Sequence, residues 1–167
     1  MGVSGVGKST VAKGLSITLG WTYAEGDAFH SPANVAKMSA GHALTDDDRW
    51  PWLRAIGSWM DDQIRAGEPA VVTCSALRRS YRDLLREGRP EVWFLHLVAG
   101  PDLVADRVSR RTDHYMPATL LPSQYDALEP LAPDEPGASV SVDGTAPEVL
   151  ARAIAALGLT DQATTEH

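Results

Sequence analysis

The sequence has 167 residues, 44% of them hydrophobic, which is enough for one domain with its own core. A net charge of −7 at pH 7 argues against a surface that binds nucleic acid or an anionic membrane. The single cysteine, Cys74, excludes an internal disulfide, and there is no signal peptide or membrane-spanning apolar run, so we expect a soluble cytoplasmic protein.

The chain opens with a glycine-rich stretch that fits the P-loop pattern G-x-x-x-x-G-K-S. Backbone N–H groups of such a loop surround phosphate oxygens, and a helix that starts at Lys8 adds the positive end of its dipole. Lys8 is expected to reach the β- and γ-phosphates, and the Ser9 hydroxyl to hold Mg²⁺. The residues predicted to bind the nucleotide are Gly2, Val3, Ser4, Gly5, Val6, Gly7, Lys8, Ser9 and Thr10.

A P-loop normally follows a buried β-strand, but only Met1 precedes this one. The supporting strand would be central in the sheet, so its loss would leave backbone groups unpaired and open a cleft in the core. We therefore expect the first strand to be missing from this sequence, and our hypothesis is a gene model shortened at its amino end.

After the loop, short β-like runs alternate with helical patterns, which predicts a parallel sheet with helices on its faces. We predict a single domain over 1–159, an irregular, mobile lid at about 112–122 and a frayed tail at 160–167. The predicted strands are 21–27, 70–74, 92–100 and 138–144; the predicted helices run from Lys8 to Leu19, from the acidic run 45–49 to Gly67, over 80–88, from Pro101 onward and from the capping box at Thr145 onward.

The stretch EGDAFH follows the first of these strands, at the sheet edge where ligands bind in α/β folds. Asp27 can orient or deprotonate a substrate hydroxyl, Glu25 can hold a Mg²⁺-bound water, and His30 is assigned to the substrate side. The alternative is an ordinary strand-to-helix turn capped by Asp27.

Arginines near the same edge are candidates for binding an anionic substrate. Arg49 can clamp a carboxylate in bidentate fashion, although a surface ion pair is the alternative. Ser75 follows the strand 70–74, and Arg78 or Arg82 can supply positive charge there, although at least one is expected to pair with a structural acid. Which arginine meets the substrate carboxylate stays open.

Arg107 and Arg111 share one helical face leading into the lid, which favours a role in stabilising charge on transferring phosphates. His114 and Tyr115 are either lid contacts or surface residues. The tryptophans at 50, 52 and 59 lie in one predicted helix, where stacking on a base is possible but packing is the favoured interpretation.

The chain resembles the gluconate kinase (gluconokinase) family from Gly2 to about Leu131, in the stretches GVSGVGKS, GDAFH, NVAKM, TDDDRWPWL, CSALRRSYRDLLR and HYMPATLLPSQYDALE. The P-loop is specific only for nucleotide use, whereas DDDR-x-PWL followed by CSAL and YRD-x-LR is far more specific. The resemblance implies a three-layer P-loop kinase fold similar to that of shikimate and nucleoside monophosphate kinases. It also implies transfer of the ATP γ-phosphate to the 6-hydroxyl of D-gluconate, Mg²⁺ dependence and a homodimer.

By position, the resemblance places Asp27 at the sugar-acid hydroxyl, Arg49 and Arg82 on the substrate side, and Arg107 and Arg111 at the lid. Family members carry an apolar strand directly before the loop, and this sequence departs from them there. Two other functions stay open: a kinase for another small acceptor, such as shikimate or a nucleoside monophosphate, and a nucleotide-binding module without catalysis.

Overall fold

The computed structural model describes residues 1–109 and 118–159, which form a mixed α/β fold. The strands are β1 (Thr22–Ala24), β2 (Ala70–Val72), β3 (Phe94–Val98) and β4 (Gly137–Ser141). The helices are α1 (Lys8–Leu19), α2 (Pro32–Ser39), α3 (Asp46–Ala66), α4 (Arg79–Arg86), α5 (Pro101–Ser109), α6 (Leu121–Ala127) and α7 (Ala146–Ala156). Strand pairing in the described residues is parallel, which confirms the predicted fold class.

The strands form two separate pairs, β1 with β2 and β3 with β4. The start of the chain lies between the pairs and touches both. Met1 donates its ammonium to the Leu95 carbonyl and accepts the Leu97 N–H at 3.0 Å, as a parallel neighbour of β3 would. The Gly2 N–H donates to the Ser75 carbonyl just past β2, at 3.1 Å. Two residues therefore bridge the β2 and β3 sides of the fold.

A cavity of about 380 Å³ lies between the two strand pairs. Its lining is mostly apolar and comes from α1, α3, β2 and β3, with Met1 at one end. This is the place where a strand leading into the P-loop would run. The cavity agrees with the expected cleft in the core, and the absence of a first strand from this sequence stays a hypothesis.

The helix ends follow the signals in the sequence. Gly20 and Gly67 end α1 and α3 in the left-handed conformation, with φ of +70° at both. Thr45 and Thr145 cap α3 and α7, and each forms a full capping box with the acidic residue three positions later. These interactions fix where α3 starts, and α3 carries part of the site described below.

The structure differs from the predictions in several elements. Each strand is shorter than predicted, and 26–29 forms a 3-10 turn where the first strand was expected to end. The short helices α2 and α6 were not predicted. The helix α6 begins at Leu121, within the predicted lid at about 112–122, whereas 110–117 and 160–167 lie outside the described residues.

The core has two parts. One packs α1, α5 and α7 against β3 and β4 around Val6, Leu97 and Val104, and the other packs α3 against α4 around Leu53 and Ile56. Ile64, on the predicted buried face of α3, is 40% exposed. Among the described residues, no helix combines the length and apolar character that crossing a membrane requires.

Candidate active site

The P-loop is held in place by its own small and apolar residues. Gly5 and Gly7 have φ of +81° and +105°, which residues with a Cβ rarely adopt. A Cβ at Gly5 would lie 2.4 Å from a methyl of Val108 on α5. Val3 and Val6 point into the core and are 3% and 0% exposed. The buried valines therefore anchor a loop whose glycines allow its backbone to curl.

Lys8 begins α1 and folds back over the loop. Its Nζ donates to the carbonyls of Gly2 at 3.1 Å and Val3 at 2.9 Å. Gly7 caps the helix in the left-handed conformation. The predicted nucleotide-binding residues therefore form one loop at a helix N-terminus, which is the arrangement that binds phosphate.

A carboxylate network follows β1 at the edge of this loop. Tyr23 donates its hydroxyl to Glu25 at 2.5 Å, and Thr73 donates to the other carboxylate oxygen. Burial by itself would raise the pKa of Glu25, but hydrogen bonds from Ser9, Thr73 and Tyr23 outweigh it and lower the pKa. Glu25 is therefore ionised beside the Ser9 hydroxyl. A carboxylate with a hydroxyl is a donor set suited to Mg²⁺.

Asp27 lies in the 3-10 turn Gly26–Phe29, directly after this network. The Gly26 N–H donates to the Thr73 hydroxyl at 2.9 Å, and a Cβ at Gly26 would lie 1.8 Å from the Thr73 carbonyl oxygen. Only glycine therefore fits here, and the close contact with the end of β2 fixes the backbone that carries Asp27.

A pocket of about 50 Å³ brings together the P-loop and the predicted substrate side. Four predicted substrate-binding residues, Asp27, His30, Arg49 and Ser75, line it together. The full lining is Ser4, Gly5, Gly7, Lys8, Ser9, Glu25, Asp27, His30, Met38, Arg49, Trp52, Ser75 and Gln124. The phosphate loop and the acceptor candidates thus face a common space.

Arg49 and Arg78 both lie over the ring of Tyr81, with guanidinium-to-centroid distances of 5.7 Å and 6.0 Å. Arg78 also pairs with Asp46 at 3.2 Å and is absent from the pocket lining. No carboxylate of the described residues lies within ion-pair distance of Arg49. Of the two, Arg49 is the better placed to meet an anionic substrate.

Arg82 was predicted on the substrate side, and its surroundings contradict that assignment. It is 1% exposed and forms a bidentate pair with Glu135, with Nε–Oε1 and Nη2–Oε2 distances of 2.5 and 2.8 Å. Its Nη1 donates to three carbonyls, those of Ala76, Leu77 and Glu129. All of its nitrogen atoms are already engaged, so Arg82 joins two loops instead of binding a ligand.

Of the two arginines predicted at the lid, Arg107 is among the described residues and Arg111 is not. Arg107 donates to the carbonyl of Val6 in the P-loop at 3.3 Å and to that of Val142 at 3.0 Å. It therefore lies beside the phosphate loop without lining the pocket. Arg110, Arg111, His114 and Tyr115 lie outside the described residues.

Sequence reasoning missed three pocket residues, Met38, Trp52 and Gln124. Gln124 on α6 is 7% exposed, and its Oε1 accepts the Ser4 N–H at 2.6 Å. Trp52 on α3 stacks on His30, with ring centroids 4.2 Å apart and an interplanar angle of 15°. Trp52 looked like an ordinary core residue, and Gln124, between Ser123 and Tyr125, gave no clear signal in the sequence.

Comparison with known proteins gives consistent relatives, although no protein-family model matches the chain. A gluconokinase of Gluconobacter oxydans is 54% identical over 84% of this chain and 79% of its own length. The crystal structure of a sugar kinase from a Janibacter species has a TM-score of 0.90 at 48% identity, covering 99% of this chain and 96% of that one. The crystal structure of a gluconokinase from Sinorhizobium meliloti has a TM-score of 0.84 at 45% identity, covering 95% and 89%.

Proposed function

The chain belongs to the gluconokinase family of P-loop kinases, and from this membership we propose that it transfers the γ-phosphoryl group of ATP to the 6-hydroxyl of D-gluconate. The observation that carries the proposal is the shared pocket in which the P-loop faces Asp27, His30 and Arg49. Phosphoryl transfer depends mainly on positioning and charge stabilisation, so this juxtaposition matters more than any single group. The product is 6-phospho-D-gluconate.

Residues 2–10 bind the ATP phosphates in this proposal. The P-loop N–H groups and the N-terminus of α1 stabilise the negative phosphate oxygens. Lys8, which donates to two loop carbonyls, exchanges at least part of that bonding for the β- and γ-phosphates. Arg107, at the Val6 carbonyl, and Arg111 act from the lid side and stabilise charge on the transferring group.

Mg²⁺ is the metal that fits the residues present. Ser9 and Glu25 would hold it, directly or through water, because Glu25 is ionised and lies beside the Ser9 hydroxyl. Among the described residues no three acidic, imidazole or thiol groups cluster as a metal site, which suits an ion held mainly by phosphate and water. When bound, it supplies positive charge to the β- and γ-phosphate oxygens.

D-Gluconate takes the other side of the pocket. The oxygen of the 6-hydroxyl attacks the γ-phosphorus, and Asp27 accepts the hydroxyl proton. The bond between the γ-phosphorus and the ADP oxygen breaks in the same step. Arg49 binds the carboxylate, and His30 and Ser75 bind hydroxyls. Arg78, which is half exposed and pairs with Asp46, is retained as a second contact at the pocket margin. We also propose a homodimer, on the strength of the family resemblance, and a cytoplasmic location, because a single cysteine suits a reducing compartment.

The test is ADP release by the purified chain with Mg²⁺-ATP and D-gluconate as the only acceptor, with shikimate and AMP in parallel. We expect turnover with gluconate alone. Turnover with shikimate or AMP instead would replace the proposed acceptor. ATP binding without turnover on any acceptor would indicate a nucleotide-binding module.

The first prediction concerns the general base. Asp27→Asn should lower kcat with gluconate by about 10²- to 10⁴-fold because the amide cannot accept the proton. The Kd for MgATP should stay unchanged. The matched control is Asp62→Asn, an exposed residue of α3 whose one ion pair within the described part of the chain is with Arg65 on the same helix. If Asp27→Asn and Asp62→Asn have the same kcat, Asp27 is not the base.

A further inference from the structure

Trp52 makes two different contacts with the turn that carries the acceptor residues. Its indole is 3% exposed, and Nε1 donates to the Gly26 carbonyl at 2.8 Å. The face of the same ring stacks on His30. Trp52 is therefore bonded to the residue before Asp27 and packed against the residue that follows the turn.

The backbone of Gly26 is held both at its N–H and at its carbonyl. Its N–H is held by the Thr73 hydroxyl, and the Thr73 carbonyl lies too close for any Cβ. Trp52 holds the carbonyl from the α3 side. The His30 N–H then closes the turn on the Asp27 carbonyl at 3.2 Å. Asp27 and His30 consequently move together, and Trp52 is their link to α3.

The same helix carries Arg49, three residues before Trp52. Its first turn is tied to α2, because Asn34 Nδ2 donates to the Asp48 carbonyl at 2.9 Å and Lys37 pairs with the Asp48 carboxylate. Arg49 therefore sits on a fixed segment. The contacts of Trp52 with Gly26 and His30 set how far Asp27 and His30 lie from Arg49.

His30 itself has an unusual environment for a polar ring. Its Nδ1 is buried and has no hydrogen-bond partner among the described residues. Such an atom costs free energy unless a ligand satisfies it. Burial lowers the pKa of His30 to about 4; Asp27 opposes this shift and Arg49 adds to it. The ring is therefore uncharged at neutral pH and suited to a hydroxyl, not a carboxylate.

We propose that Trp52 is the positioning residue of the acceptor site, holding Asp27 through the Gly26 carbonyl and presenting the His30 ring to a substrate hydroxyl. The proposal rests on the proposed function for the identity of the substrate. It separates the roles in the pocket: Arg49 binds the carboxylate, His30 binds a hydroxyl, and Trp52 fixes the spacing of Asp27 and His30 from Arg49.

Two substitutions separate the two contacts of Trp52. Trp52→Phe keeps a ring for stacking but removes the Nε1–H donor, so Asp27 loses its anchor and kcat falls by about 10- to 100-fold. Trp52→Leu removes both contacts, so the KM for gluconate rises as well. The Kd for MgATP stays unchanged in both variants, because the P-loop does not depend on Trp52.

The matched control is Trp59→Phe, two turns further along α3. Trp59 makes an edge contact with Phe29, with centroids 6.4 Å apart. We expect its kcat and its KM for gluconate to match the wild type. The proposal is overturned if Trp52→Phe behaves like Trp59→Phe, or if the affinities for ATP and gluconate fall together, as general destabilisation would cause.

A second measurement needs no turnover. NMR titration of the unliganded protein should give His30 a pKa of about 4 in the wild type. In Trp52→Leu this pKa should rise toward the ordinary value of about 6.5 as the ring gains access to water. His96, whose pKa burial also lowers to about 4, is the internal control and should not move.

An unchanged His30 pKa in Trp52→Leu would refute the stacking role. If the wild type does not phosphorylate gluconate but His30 titrates as expected, the proposed acceptor is wrong and the positioning by Trp52 stands. The two hypotheses can therefore fail separately.

Discussion

The Arg82 guanidinium and the Glu135 carboxylate form a pair removed from water, with side-chain exposures of 1% and 4%. The guanidinium also binds carbonyls on both sides of the gap between 76–77 and 129–130. Its hydrogen bond lowers the pKa of Glu135 despite the opposing effect of burial. Removing one partner would leave an uncompensated charge in the interior, which is far more costly than losing a surface pair.

Arg82→Met should therefore lower the free energy of unfolding by about 3–5 kcal/mol, measured by urea titration. Arg79→Met is the comparison, because Arg79 pairs with Asp134 at the surface and is 42% exposed. That variant should lose less than about 1 kcal/mol. Equal losses in the two variants would contradict the structural role of Arg82.

A second prediction at this scale concerns pH. Burial lowers the pKa of the Met1 ammonium from 8.0 to about 5, and that of His96 from 6.5 to about 4. The unfolded chain binds more protons than the folded chain between pH 4 and 8, so the stability should fall as the pH drops through that range. Each group contributes at most about 1.4 kcal/mol per pH unit.

Urea unfolding at pH 8, 6.5, 5 and 4 tests this dependence. His96→Asn should reduce the slope of the curve between pH 6.5 and 4, where the Met1 ammonium and His30 still contribute, and leave the part from 8 to 6.5 unchanged, because the Met1 ammonium dominates there. A curve that is level from pH 8 to 5 would show that the Met1 ammonium is not buried in solution.

At the scale of elements, the long periodic helices and the apolar strands could be predicted because their patterns repeat over many residues. Local signals predicted two helix starts, the acidic run 45–49 for α3 and the capping box at Thr145 for α7. The short helices α2 and α6, of 8 and 7 residues, were missed, whereas α4, also of 8 residues, was predicted because Gly88 marks its end. The Ser31-Pro32 pair was nevertheless a usable start signal, since Ser31 accepts the Asn34 N–H.

The candidate site was predictable where a motif fixes the backbone. The P-loop glycines were predictable because the motif itself requires their backbone conformation. Asp27 was predictable because it directly follows Gly26, which lies in close contact with Thr73. The role of Arg82 could not be predicted, because the sequence does not distinguish an arginine that binds a ligand from one that pairs with Glu135. The distinction requires the position of the loop 129–135. Trp52 was missed because its indole is apolar over most of its surface, and only its neighbours reveal the donor.

At the scale of the whole molecule, the cavity separates the strand pair β1–β2 from the pair β3–β4. In a strand, the N–H and C=O groups of successive residues point to opposite sides. The Pro69 carbonyl and the Thr73 N–H bond to β1. The peptide groups of Ala70 and Val72 therefore face the cavity, as do those of Leu95 and Leu97 on β3. One added strand would find partners on both sides and continue the pairing that Met1 begins.

Five apolar residues added before Met1 should therefore raise the free energy of unfolding by roughly 1 kcal/mol per residue, the surplus of apolar burial over chain ordering. The urea m-value should increase too, because more surface is buried. An added Gly-Ser segment of equal length is the control. If both extensions leave the stability unchanged, the cavity is not a place for a strand.

The burial of the Met1 α-amine also affects how fast acylating reagents can label the amino terminus. In the folded protein the amine is largely uncharged at neutral pH, yet Leu95 and the surrounding core shield it from reagents. When local unfolding exposes the amine to water, it regains its proton at pH 7, which again suppresses attack. Acylation at pH 7 should thus be slow in both states, while at pH 9 its rate measures how often unfolding exposes the amine.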